Sequence, residues 1–137
     1  MILLDTQTLI WFVQGDPRLK EAARTLIEQE TATDIAAISP ISFWEAAMLV
    51  DKGKLALGMR PLDWMEAVLD EPGFRIEPFA PVIAIDAGSL PGDIHGDPAD
   101  RIIIATARHL ACPLLTTDRK ILDYATEGHL QAINARL

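Results

Sequence analysis

The acidic residues Asp5, Glu45, Asp100 and Asp118 are the ones whose placement asks for chemistry. Asp5 closes the apolar run ILL, and Asp118 closes PLLTT. Glu45 lies within ISFWEAAMLV, where Ser42 is the only other polar side chain, and an acid in such a run is costly to bury without a partner. Asp100 falls in the first turn after Asp97-Pro98, a helix start. Carboxylates brought together would repel, and some would stay protonated. Hard divalent cations relieve that repulsion: Mg²⁺ takes one or two carboxylates plus waters and substrate phosphates. Two such ions can hold the attacking water and the leaving oxygen of an in-line phosphoryl displacement. The four acids therefore read as a cation cradle acting on a phosphodiester.

Convergence of these residues requires a fold that brings four segments together. The chain alternates strand-like and helix-like stretches. Strands are predicted at 2–5, 35–39, 74–79, 113–118 and 130–134. Helices are predicted from Thr8 to Val13, from the Asp16-Pro17 start through Ile27, from Ser39-Pro40 to Gly53, and over 61–70. A short one follows in PVIAIDAGSL, a long one from Asp97-Pro98 to about Leu110, and another in RKILDYA. Five short strands with helical crossovers predict a three-layer α/β/α sandwich with a fully buried five-stranded parallel sheet, in one domain over 1–137. In the order 3-2-1-4-5, strands one and four are neighbours, so Asp5 and Asp118 face one crevice at the carboxyl edge. Glu45 and Asp100, on helices that begin there, reach the same rim. Asp5, Asp97 and Asp118 also suit helix N-caps, and Asp97 with Asp100 a capping box. Capping leaves Glu45 unexplained, and an N-cap can still face a crevice.

Composition limits the alternatives. The 137 residues are 50% hydrophobic with a net charge of −8, a globular composition that argues against a nucleic-acid coat. A bound cation reverses that local field, so an enzyme acting on phosphate is not excluded. The single cysteine, Cys112, rules out an internal disulfide, fits the cytoplasm, and reads as a small buried hydrophobe. The N-terminus makes a poor signal peptide, and charge-free stretches of at most ten residues predict no membrane span.

LLDT, SFWEAAMLVDKGKL, HGDPADRIIIATA and LLTTD, in this order and at these spacings, resemble the PIN-domain ribonucleases, specifically the VapC-type toxins of bacterial toxin–antitoxin pairs. The resemblance implies a PIN-like fold and cutting of RNA with Mg²⁺ or Mn²⁺ held by Asp5, Glu45, Asp100 and Asp118. Asp5 and Asp100 match the firmest ligands; Glu45 and Asp118 match residues that ligate through water or orient the nucleophile. Thr116, and more loosely Thr6, match polar residues that support the site. It also implies a homodimer, and a cognate antitoxin whose tail lies along the groove. Ala99 departs from the family, which often has an aromatic there, and this bears on groove shape.

Other residues carry weaker expectations. Arg101 is placed for a salt bridge or for phosphate. Lys52 and Lys54 suit a helix C-terminus. Arg119 and Lys120 oppose the dipole of a helix start, which favours phosphate contact. His95 is assigned a loop hydrogen bond rather than a general-base role, and His109 and His129 have no ligand spacing. Trp11, Trp44 and Trp64 are assigned to packing, and the 61–70 helix, with Leu62, Met65 and Leu69, to a partner groove. A receiver-type phosphoacceptor is disfavoured, because Asp5 is followed by Thr-Gln-Thr and no lysine follows the last strand. A PIN-fold nuclease acting on DNA, and a non-catalytic binding module of the same fold, remain as alternatives.

Overall fold

Within the central strand β1 (Ile2–Leu4), Ile2 and Leu4 join one apolar cluster and Leu3 another, the two-residue alternation of a strand covered on both faces. The computed structural model describes residues 1–94 and 96–136. Among them, β1, β2 (Ala36–Ile38), β3 (Phe74–Ile76), β4 (Leu114–Thr116) and β5 (Ala132–Asn134) form a parallel sheet in the order β3-β2-β1-β4-β5. One layer comprises α1 (Thr6–Gln14), α2 (Glu21–Thr33), α3 (Pro40–Asp51) and α4 (Pro61–Asp70), which place Leu9, Ile27, Ala46 and Trp64 against Ile2, Leu4 and Ile38. The other comprises α5 (Pro81–Gly88), α6 (Pro98–Leu110) and α7 (Arg119–Ala125), whose Ile83, Ile103, Ile104 and Ile121 pack on Leu3, Ala37 and Leu114. Each fully buried Leu or Ile contributes about 1.5–3 kcal/mol. Three-residue strands form few ladder bonds, so this two-sided burial holds the sheet. Among the described residues, no helix is long and apolar enough to cross a membrane.

The three-layer architecture and strand order match the sequence expectation, while several boundaries move for local reasons. The first helix starts at Thr6 rather than Thr8, because the Asp5 carboxylate accepts the Thr6 N–H at 2.8 Å and caps it at once. The predicted helix start at Asp16-Pro17 is a turn. Asp16 accepts the Arg18 N–H at 2.9 Å and grips its guanidinium at 2.6 Å, and α2 begins only at Glu21. The third strand stops at Ile76: Glu77 N–H donates to Ile38 O at 2.8 Å, and Pro78 has no N–H to continue the ladder. Full burial holds for β1, β2 and β4, but the edge strands expose Arg75 and Ile133.

Gly73, entering β3, combines a φ of +89° with a close approach to α2, where an added Cβ would lie 2.2 Å from Thr31 O. Gly73→Ala is therefore expected to lose roughly 1–3 kcal/mol or more, from strain and backbone collision together. Urea unfolding monitored by circular dichroism measures it.

Candidate active site

The sheet creates the site where its connections diverge. From β1 the chain crosses to β2 on one side, and from β4 to β5 on the other, which leaves a crevice at the carboxyl edge. Leu4 pairs with Leu115, and Asp5 N–H donates to Leu115 O at 3.0 Å, so Asp5 sits beside Thr116. The Thr116 hydroxyl donates to Asp5 Oδ2 at 2.5 Å and accepts the Asp118 N–H at 3.0 Å. On the other side, Thr6 Oγ1 lies 2.5 Å from Glu45 Oε1 and 2.9 Å from Ser42 Oγ. A hydroxyl has one proton, so Thr6 donates to the carboxylate and Ser42 supplies the proton of the other bond. One hydrogen-bonded chain thus runs from Asp118 through Thr116, Asp5 and Thr6 to Glu45. It joins β4, β1 and α3.

Asp5, Thr6, Glu45, Asp100 and Asp118 line a cleft of about 560 Å³. Asp5 is only 6% exposed, and burial pushes its carboxyl up. The bonds from Thr116 and Thr6 oppose that shift, and Asp118 and Asp97 reinforce it. Burial also raises Glu45, with the Thr6 bond opposing and Asp5 and Asp97 adding repulsion. Asp100 is pushed up to about 8, first by burial and then by the charges of Asp5, Asp97, Asp118 and Glu45. The four acids singled out in the sequence therefore share one electrostatic site. Asp97, read there as a cap, does cap Asp100 N–H at 3.1 Å, but its charge also acts on Asp5, Glu45 and Asp100.

The donor set is all oxygen and surplus in negative charge, which suits a hard divalent cation. Among the described residues no group of three or more His, Cys, Asp or Glu side chains is placed to hold a metal ion together. Mg²⁺ keeps several waters and uses one or two carboxylates, so a pair of these acids would suffice to hold it. Thr116 is fully buried and does not line the cleft, so its contact with the site runs through the Asp5 carboxylate.

The remaining residues singled out in the sequence fall in different places. Arg119 lines the cleft, whereas Lys120 lines a separate hollow with Asp93 and Glu127. Arg101 Nε donates to Ala87 O on α5 at 2.8 Å. Lys52 and Lys54 are exposed at the end of α3, and His95 lies outside the described residues. Trp64 and Trp11 are buried, whereas Trp44 is 56% exposed, so of the core or interface packing expected for it the core is excluded, and Leu62 is exposed too. Gln7, Trp11, Asn134 and Arg136, none proposed from the sequence for the site, also line the cleft. Gln7 and Trp11 share one face of α1, Asn134 ends β5 and Arg136 follows it at the carboxyl edge, signals that were available.

The chain matches the family profile described as the PIN domain over residues 2–127. The chain belongs to the PIN-domain family. It is 33% identical over 120 residues to Ribonuclease VapC22 of Mycobacterium tuberculosis, covering 88% of each chain. Solved structures of similar PIN fold include VapBC2 of Rickettsia felis bound to a promoter DNA fragment, with a TM-score of 0.71 and 20% identity over 98% of each chain. They also include VapBC-1 of nontypeable Haemophilus influenzae, with a TM-score of 0.68 and 18% identity over 100% of each chain.

The crowding within this PIN-domain site predicts a pH dependence. Asp100 is neutral in the fold up to about pH 8 but ionised in the unfolded chain above about 4. The native state then binds more protons, so metal-free stability falls as pH rises through this window and levels off above 8. Asp100→Asn should flatten that slope in Tm measured from pH 5 to 9.

Proposed function

We propose that the protein is a divalent-metal-dependent endoribonuclease, the toxin of a toxin–antitoxin pair, with residues 1–137 forming one PIN domain. The observation that carries this reading is the convergence of Asp5, Glu45, Asp100 and Asp118, reinforced by Asp97, on one cleft. A relative named as a ribonuclease, and structural neighbours solved as toxin–antitoxin complexes, support the choice of RNA and of an antitoxin partner. The working form in this reading is a cytoplasmic homodimer inhibited by a cognate antitoxin, as the resemblance to VapC-type toxins implies.

Asp5 and Asp100 would hold Mg²⁺ or Mn²⁺, and Glu45 and Asp118 would support it through water. When bound, the ion neutralises charge on the scissile phosphate and lowers the pKa of water. Thr116 orients Asp5 and favours its ionised form, and Thr6 does the same for Glu45. Glu45 and Asp118 orient the attacking water, and one of the two carboxylates accepts its proton. The water oxygen bonds to phosphorus as the bond to the 3′ oxygen breaks. Solvent protonates that oxygen, leaving a 3′-hydroxyl and a 5′-phosphate.

Purified protein, freed of antitoxin and mixed with structured RNA, should cut with Mg²⁺ or Mn²⁺ and stop with chelator. Asp100→Asn should reduce cutting to background, and Thr116→Val should lower it roughly 10–100-fold, as for residues that orient a ligand. Cleavage that survives both chelation and Asp100→Asn refutes the mechanism. RNA binding without cutting in every condition supports the binding module, and preferential cutting of DNA supports the DNA nuclease.

A further inference from the structure

The acidic cleft has one cationic wall. Arg119 and Arg136 are its only basic lining residues among those described, and neither has a carboxylate within salt-bridge distance among the described residues. Arg136 is also fixed in place: its guanidinium lies over the Trp11 ring, 5.7 Å from the centroid, and its Nε donates to Thr117 O at 3.3 Å. Arg18 lies over the same ring at 4.9 Å, but Asp16 neutralises it at 2.6 Å. Trp11 is 4% exposed, and its Nε1 is buried without a hydrogen-bond partner. An unmet donor costs about 1–3 kcal/mol, so this indole is not optimised for stability alone.

A chain of charge −8, with five acids acting in one cleft, repels a polyanion except where a cation meets it. An ion at the acids answers for a single phosphate. Arginine presents a planar fork that suits phosphate, and stacking on an aromatic ring preorganises it. With Nε committed to Thr117 O, neither Nη of Arg136 makes a hydrogen bond among the described residues. The cleft volume of about 560 Å³ leaves room for a nucleotide beside the acids.

We propose that Arg136, held by Trp11 and assisted by Arg119, grips a backbone phosphate of the RNA next to the one that is cut. The proposal rests on the nuclease reading above. Arg136 is the contacting group, and Trp11 is a positioning residue that acts through it.

The test has a cutting arm and a binding arm. In the cutting arm, Arg136→Ala, an exposed change, should raise KM for RNA roughly tenfold with kcat little altered, as for loss of a charged hydrogen bond. Arg136→Lys should recover only part of this, because lysine lacks the fork. In the binding arm, Asp100→Asn protein is titrated with a mixed-sequence single-stranded RNA oligonucleotide across salt concentrations. Adding Arg136→Ala should reduce the slope of log affinity against log salt by about 0.7. Trp11→Phe, which keeps an aromatic core residue, should weaken binding only while Arg136 is present, so the two changes together match Arg136→Ala alone. An unchanged KM and salt slope in Arg136→Ala overturns the proposal. If the intact protein cuts no RNA yet the slope still falls, the phosphate grip stands and the nuclease reading fails.

Discussion

Repulsion among carboxylates in a partly desolvated crevice governs this molecule. Asp5 is almost fully buried, and Glu45 and Asp100 are half-buried, so solvent does little to separate their charges. Two hydroxyls, from Thr6 and Thr116, donate to Glu45 and Asp5 and stabilise their ionised forms. Asp100 feels four neighbouring acids and holds a proton to about pH 8. A proton and a divalent cation are thus competing answers to the same excess charge. That competition couples the electrostatics of the site to its chemistry.

The architecture makes such crowding affordable. Asp5, Asp97 and Asp118 are the N-caps of α1, α6 and α7, and all three helices start at the carboxyl edge of the sheet. Their positive ends each favour a nearby carboxylate by about 0.3–1 kcal/mol. Capping and site formation are one arrangement: the interaction that starts each helix also partly offsets the charge gathered there. Glu45 has no such support and depends on Thr6, which depends in turn on Ser42.

Much of this was legible in the residues. Short apolar strands joined by helical crossovers define a parallel sheet, and acids at strand ends mark the crevice. Glu45 declared itself by its apolar surroundings. Less legible were features set by three-dimensional neighbours. Asp97 looked like a cap because spacing reveals the helix start but not the charges facing it. For Trp44 the sequence leaves core and interface packing both open, because an apolar helix does not show which face lacks a covering layer. Arg136 follows β5 closely in sequence, yet its value comes from Trp11, 125 positions away, which no local pattern connects to it. Asp16-Pro17 imitates a helix start, and only the grip of Asp16 on Arg18 turns it into a bend.

The direct test of the central claim is calorimetric titration of Mn²⁺ into metal-free protein at pH 7, in two buffers of different ionisation enthalpy. The buffer difference counts protons released as the ion binds. Binding is expected with release of about one proton, contributed mainly by Asp100, and with loss of that release in Asp100→Asn. Absence of binding, or binding with no proton released from the wild-type protein, would contradict it.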